Sequence, residues 1–175
     1  LVTTDFSDVS KAAFDYAAYQ CKMENSKISL MHVVEPFQLP AELARVIWNP
    51  ETLTKMEKEY LEGSRQQLEN FANQYFHEQE VNIISDASSK SPAKEICKYA
   101  HENNCDLIVS GGHGRGATGR FFLGSVVQKV LAEAPCPVLV VRGKEEGAEY
   151  GRNAGVSRRR EHCVTEIGTP IRRLR

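Results

Sequence analysis

Apolar residues in the first part of the chain change from a helical repeat to a nearly continuous run. Residues spaced three and four apart over about 8–24 are apolar, which predicts an amphipathic helix: Ala13, Phe14, Ala17, Ala18 and Cys21. Ser7 or Asp8 is placed to cap this helix. The run ISLMHVV at 28–34 predicts a strand that is buried on both faces of a parallel sheet. Before both of these, LVTTD predicts a first strand that ends in polar residues.

Strands and helices continue to alternate up to residue 143. Large apolar residues repeat every three or four positions over about 51–77 and predict a long helix. The remaining predicted elements are a strand at 81–87, a helix within 88–104, a strand at 105–111, a helix at about 124–134 and a strand at 135–143. This order predicts a single α/β domain over 1–143, with a five-stranded parallel sheet and helices on both faces in a Rossmann-like arrangement.

Two segments do not follow this pattern. Residues 37–50 contain prolines and predict a loop or a short helical excursion, and the wider segment 37–60 is long enough to act as a lid. Residues 144–175 have no periodicity, and seven arginines and two glutamates lie between 150 and 175. This composition predicts a basic tail that is disordered or loosely attached, or sequence added during cloning. A functional basic arm is the alternative.

Composition and charge narrow the class of protein. The formal net charge is −1, and the body of the chain is mildly acidic once the basic tail is set aside, which argues against a nucleic-acid binder. The sequence has no apolar run long enough to cross a membrane and no leader pattern, so we expect a cytoplasmic protein. Five cysteines without C-x-x-C spacing argue against a disulfide framework and a zinc site.

A glycine-rich stretch, SGGHGRGATGRFFLGSVV at 110–127, joins the fourth predicted strand to the last helix. Glycine lets the backbone come close to a ligand, and the N-terminus of a helix offers unpaired N–H donors, so the stretch is suited to holding phosphate. The Walker pattern is absent. Residues 114–119 satisfy G-x-G-x-x-G, but Leu139 stands where a dinucleotide site requires an acid, so a nicotinamide or flavin site is disfavoured.

A second spacing in this stretch, G-x2-G-x9-G-[ST], is formed by Gly111, Gly114, Gly124 and Ser125. Together with TTDFSDVSKAAFDYA, ISLMHVVEP, CDLIVSGGHGRG, FFLGSVVQKVL and CPVLVVR in this order, it makes residues 1–143 resemble the universal stress protein family, and specifically its nucleotide-binding branch. The resemblance implies an adenine nucleotide alpha hydrolase-like fold. It also implies ATP or AMP/ADP as the ligand, with Mg²⁺ or Mn²⁺ between the phosphates.

The resemblance further implies a role for each residue of the site. Asp5 would meet the ribose or adenine, with Thr3 and Thr4 lining the base pocket and Val33 offering its backbone to adenine. Gly111 would lie against the ribose, His113, Gly114 and Arg115 would meet the phosphates, and Gly124, Ser125 and Val126 would cradle them. Gly112 departs from the family, which often has a larger polar residue there, and we expect it to loosen the loop.

Structural alternatives remain for several of these residues. Asp5 could cap the first helix, Ser125 could cap the last one, and Thr3 and Thr4 could be ordinary strand residues. The side chain of Val33 belongs to the core under either interpretation. His113 is better suited to be a hydrogen-bond donor in the loop than a catalytic base, because no acid stands at a fixed spacing to orient it.

The sequence therefore predicts a nucleotide-binding protein of the stress-response type that regulates by binding rather than by turnover. A slow ATPase or phosphotransferase, with His113 and Asp5 as its candidate groups, is one alternative. A dimeric interaction module that binds no nucleotide is another. The resemblance also implies a homodimer through the last strand, Pro137–Val141, and a further protein partner of unknown identity.

Overall fold

The structure, a computed structural model, describes residues 1–35, 49–77, 79–87, 91–112 and 123–142, and a strand at 164–166. Its elements in chain order are β1 (Val2–Thr3), α1 (Asp8–Glu24), β2 (Ile28–Val34), α2 (Pro50–Tyr75), β3 (Val81–Ala87), α3 (Pro92–Glu102), β4 (Ile108–Gly111), α4 (Ser125–Glu133), β5 (Val138–Val141) and β6 (Val164–Glu166). The alternation of strands and helices predicted from the sequence is confirmed from β1 to β5.

The strands form one sheet in the order β3-β2-β1-β4-β5-β6. The first five are parallel to one another, which confirms the predicted α/β class, and β6 runs antiparallel to β5. The chain winds outward from β1 through β2 to β3, and then returns to the other side of β1 to form β4 and β5. The direction of winding therefore reverses between β1 and β4, and ligands of open α/β sheets bind at such a reversal.

Helices cover both faces of the sheet and enclose two apolar cores. On one face, Phe14 of α1 is fully buried and packs against the rings of Phe71, Tyr75 and Phe76, at centroid distances of 5.4, 5.3 and 6.1 Å. On the other face, α3 and α4 pack together through small and β-branched side chains: Ala93, Ile96, Ala100, Val127 and Val130. These two layers hold β1 and β4 rigidly in the middle of the sheet.

Strand β6 departs from the sequence expectation for the basic tail. Residues 164–166 pair with β5, beyond the domain limit expected at residue 143. Local periodicity did not indicate this strand because a three-residue strand is too short to show a pattern, and it forms only against a distant partner. The rest of 144–175 lies outside the described residues. So does all of 37–48, and with it about half of the segment 37–60 that was considered as a lid.

The described helices can be compared with the expectation that the chain has no membrane-spanning segment. Within the residues that the structure describes, none of the helices has both the length and the apolar character that a membrane span requires.

Candidate functional site

The turn after β1 is held by a small network of hydroxyl and carboxylate groups. The Oδ1 atom of Asp5 accepts hydrogen bonds from the backbone N–H of Ser7 at 3.0 Å and from the Ser7 hydroxyl at 2.6 Å. Ser7 is in turn the N-cap of α1 and accepts from the N–H of Ser10 at 3.3 Å. The alternative of an Asp5 cap is therefore wrong, because Ser7 caps α1 and Asp5 only orients Ser7. Asp5 remains partly exposed after the end of β1.

The two threonines of the same segment are buried, with 7% of each residue exposed. The Thr4 hydroxyl lies 2.8 Å from the Ser10 hydroxyl and accepts from the N–H of Phe6 at 3.0 Å. These bonds use the Thr4 side chain to shape the turn. Thr3 continues β1, and its register partners are Met31 and Ser110. The structure therefore shows a structural role for each threonine: Thr4 stabilises the turn after β1, and Thr3 pairs within the sheet.

His32 and Phe6 pack against this turn from the interior. Neither residue was predicted from the sequence to belong to the site. His32 is buried, and its Nδ1 lies 2.8 Å from the carbonyl oxygen of Thr4. The ring of Phe6 packs against the imidazole at a centroid distance of 4.2 Å. Phe6 adopts a left-handed backbone conformation with φ 65°, which is uncommon for a bulky residue and marks a turn held by its surroundings. An aromatic residue gives no sequence signal for such a conformation.

Val33 lies beside the end of β1, where its backbone can face a ligand. Its side chain is buried in the core, as expected. The carbonyl of Met31 accepts from the N–H of Thr4, so Met31 directs its backbone groups toward β1. Backbone groups alternate in direction along a strand, and Val33 therefore directs its own toward the same side, one step beyond Thr4. This geometry agrees with a backbone contact from Val33 to a ligand at the end of β1.

Two glycines close the neck of the glycine-rich loop. The backbone N–H of Gly124 donates to the carbonyl of Gly112 at 3.1 Å, and the N–H of Gly112 donates to the carbonyl of Val141 at 2.8 Å. Residues 112 and 124 are thus brought together at the carboxyl end of β4. His113, Gly114 and Arg115 lie in the loop between them, outside the described residues.

Gly112 is closely packed at this neck, while the loop that it was expected to loosen lies outside the described residues. The residue is buried, and a Cβ atom added to it would lie 3.3 Å from Cγ1 of Val140 and 3.4 Å from Cγ of Arg142. A side chain at this position would push against the neighbouring strand. Glycine at 112 therefore allows β4 and β5 to stay close at the edge of the site.

The start of α4 presents backbone donors toward this neck. Gly124 is the N-cap residue, so Ser125 is the first residue of the helix and the alternative of a Ser125 cap is wrong. The first intrahelical bond runs from the N–H of Gln128 to the carbonyl of Gly124, at 3.0 Å. A glycine cap has no side chain to accept from the N–H groups of Val126 and Val127. These donors and the exposed Ser125 can serve an anion at the helix N-terminus.

Sheet register brings the two halves of the candidate site together. Thr3 lies beside Ser110, so Asp5, two residues further along, leaves the sheet beside Gly111 and Gly112. Both segments leave the carboxyl edge at the point where the winding of the sheet reverses. Among the described residues, no three His, Cys, Asp or Glu side chains are grouped to hold a metal ion.

The fold and this edge define an open α/β domain in which α4 begins close to the point where the winding of the sheet reverses. Residues 1–142 match the universal stress protein family. The chain is 33% identical to the universal stress protein MJ0531 of Methanocaldococcus jannaschii over 145 residues, which cover 81% of this chain and 80% of that protein. It is also 33% identical to the universal stress protein YxiE of Bacillus subtilis over 144 residues, covering 81% and 97%.

Solved structures agree on the fold. Hypothetical protein MJ0577 superposes with a TM-score of 0.65 at 24% identity, over 82% of this chain and 94% of that one. A universal stress protein solved in complex with cAMP superposes with a TM-score of 0.53 at 20% identity, over 81% and 93%. The chain belongs to the universal stress protein family, as its motifs had indicated.

Proposed function

We propose that this protein binds an adenine nucleotide, ATP or AMP/ADP, at the carboxyl edge of β1 and β4, and that the bound nucleotide regulates it. The observation that carries the proposal is the hydrogen bond between Gly112 and Gly124. It holds the start of α4 at the carboxyl end of β4, the strand that pairs with β1. This supports a site in which N–H donors of α4 for a phosphate and the Asp5 carboxylate for a ribose serve one ligand.

Each part of the nucleotide has a chemical counterpart in the site. The N–H groups of Ser125 and Val126 would hold phosphate, joined by the Ser125 hydroxyl. The Asp5 carboxylate would accept from a ribose hydroxyl, because one of its oxygens is fixed by Ser7 and the group is thereby oriented. The backbone of Val33 would meet adenine, since it extends past the end of β1. His113, Gly114 and Arg115 would complete the phosphate contacts.

Mg²⁺ or Mn²⁺ would enter with the nucleotide and neutralise its phosphates. The described residues offer no ready-made cluster of metal ligands, so the phosphate oxygens and water would supply most of the coordination. The solved universal stress protein with bound cAMP supports the choice of an adenine nucleotide, because that protein has the same fold and family.

Binding rather than turnover is the function that this geometry favours. Asp5 Oδ1 already accepts two hydrogen bonds from Ser7, which is poor preparation for taking a proton from water. In our proposal, the nucleotide orders the Asp5 turn and the glycine loop together, and a protein partner responds to that order. The same proposal includes a homodimer through Pro137–Val141 in its active form.

Calorimetric titration with ATP and Mg²⁺ tests the site, with Gly124→Val as the variant. A valine side chain at the N-cap would occupy the space in which a phosphate approaches α4, so we expect at least a tenfold loss of affinity. Gly63→Val is the matched control, because Gly63 lies in α2 with no atom within 4 Å of an added Cβ. Equal affinity of Gly124→Val and the unaltered protein, with both folded by circular dichroism, would remove the basis for this site.

A further inference from the structure

We propose that residues 164–166 form an intramolecular cap on the edge of the sheet, and that the cap must leave before β5 can pair with a second copy of the chain. Strand β6 lies antiparallel to β5, with Val140 opposite Thr165. It occupies the edge at which the proposed homodimer would form. The cap itself does not depend on nucleotide binding, whereas its role as a gate rests on the proposed dimer.

The hydrogen bonds of β5 identify the residue that holds the cap. The carbonyls of Pro137 and Val141 accept from β4, through the N–H groups of Ile108 and Gly112. Backbone groups alternate along a strand, so Leu139 also faces β4, while Val138 and Val140 direct their N–H and C=O groups outward. Val140 and Thr165 are therefore the hydrogen-bonded pair of the β5–β6 ladder.

The β5 edge offers main-chain groups rather than apolar side chains. The side chains of β5 point to the two faces of the sheet rather than to its edge. Leu139 and Val141 belong to one apolar core, and Val138 and Val140 belong to the other. What is left at the edge is the row of outward N–H and C=O groups, which pairs readily with any extended strand. The partner that fits is therefore another strand, and β6 and the β5 of a second copy would compete for the same groups.

Competition of this kind depends on protein concentration. Pairing between β5 and β6 is intramolecular, so dilution does not weaken it, whereas pairing with a second copy strengthens as the protein is concentrated. The cap keeps the chain monomeric at low concentration. Any event that withdraws β6 would then favour the dimer without changing a residue of β5.

Hydrogen exchange of single amides in the full-length chain tests the cap. We expect the Val140 amide to be protected in the unaltered protein and to exchange at least tenfold faster in Thr165→Pro, because proline has no N–H and disrupts this ladder. Thr165→Ala keeps the N–H and serves as the matched control. Glu166→Pro removes a backbone N–H that is directed away from β5, because backbone groups alternate along the strand, and it should also leave Val140 protected. The Leu139 and Val141 amides face β4 and should not change in any variant.

Mass measurement by light scattering, over a range of protein concentrations, tests the consequence. We expect the unaltered chain to stay monomeric while Thr165→Pro becomes dimeric as it is concentrated. Fast exchange at Val140 in the unaltered protein would overturn the cap. The unaltered protein could instead be dimeric, with a Val140 amide that stays protected in Thr165→Pro. That result would show that a second copy, and not β6, occupies the edge, and it would overturn the cap. If the Val140 amide of Thr165→Pro exchanges fast but the variant stays monomeric when concentrated, the proposal that loss of the cap permits dimerisation would be overturned.

Discussion

The N–H of Gly124 lies 3.1 Å from the carbonyl oxygen of Gly112 and donates a hydrogen bond to it across the mouth of the glycine-rich loop. This bond joins the end of β4 to the start of α4 across a loop of eleven residues. Gly112 is fixed by Val141 at the end of β5, and Gly124 starts α4. The N-terminus of α4, which we propose as the phosphate site, is thereby held at the carboxyl edge of the sheet, where Asp5 follows β1.

Replacing Gly112 with alanine should destabilise the protein. The added Cβ would lie 3.3 Å from Cγ1 of Val140, closer than an ordinary contact, so β5 must shift or the side chain must turn. Overpacking of this kind costs about 1–3 kcal/mol. Urea unfolding followed by circular dichroism should show a lower midpoint, and an unchanged midpoint would mean that the neck is loose. The same variant should bind ATP more weakly, because the neck also positions α4.

Replacing Gly63 with alanine should have the opposite effect. Gly63 lies in the interior of α2, and an added Cβ would meet no atom within 4 Å. Glycine in a helix interior is less favourable than alanine by about 0.5–1 kcal/mol, because it has more conformational freedom to lose on folding. The free energy of unfolding in urea should increase by that amount, and a decrease would contradict the placement of Gly63.

Replacing Ser7 with alanine should weaken the start of α1 by about 1 kcal/mol. Ser7 accepts from the N–H of Ser10 and donates to Asp5, so the change also removes a bond that orients the carboxylate. Ser91→Ala is the matched control, since Ser91 is the N-cap of α3 but its side chain makes no capping hydrogen bond. Equal losses of unfolding free energy in the two variants would argue against the Asp5 turn as described.

Cys97 should make stability fall at alkaline pH. Burial raises the pKa of its thiol to about 11, so the folded chain keeps the proton at a pH where the unfolded chain has lost it. The unfolded state then binds fewer protons, and stability decreases as pH rises from the ordinary thiol pKa of about 8.5 toward 11. Cys97→Ala should reduce this loss. Alkylation of Cys97, followed by mass mapping, should keep accelerating up to about pH 11, and a plateau at the ordinary thiol pKa would be inconsistent with burial.

The fold could be predicted from the sequence because its regular elements carry strong periodic signals. The bounds of α1 and β3 agree with the apolar repeat and the apolar run that predicted them. The last two parallel strands are shorter than their apolar runs. The run at 105–111 begins with Cys105, whose N–H still bonds to the carbonyl of Ala100 in the turn after α3. Hydrophobic patterning therefore identified all five parallel strands but did not give the first residue of β4 or β5.

The candidate site was predictable only in part. The glycine spacing indicated where the loop between β4 and α4 begins and ends, because a run of glycines between a strand and a helix is unusual. The tight packing of Gly112 was not predictable, since the atoms that crowd it come from β5. Phe6 was missed for a related reason: its left-handed backbone is imposed by contacts with His32 and Phe71 rather than by its own preference. Strand β6 likewise depends on a partner far away in the chain.

Native mass spectrometry of the full-length protein, with ATP and Mg²⁺ near cellular concentrations, tests nucleotide binding most directly. The account predicts one added nucleotide mass per chain in the unaltered protein and in the Gly63→Val control. It predicts a clearly smaller fraction of nucleotide-bound chains for Gly124→Val, in which the N-cap of α4 is obstructed. A bare spectrum for the unaltered protein under the same conditions would contradict the account, and the glycines would then serve only the turn between β4 and α4.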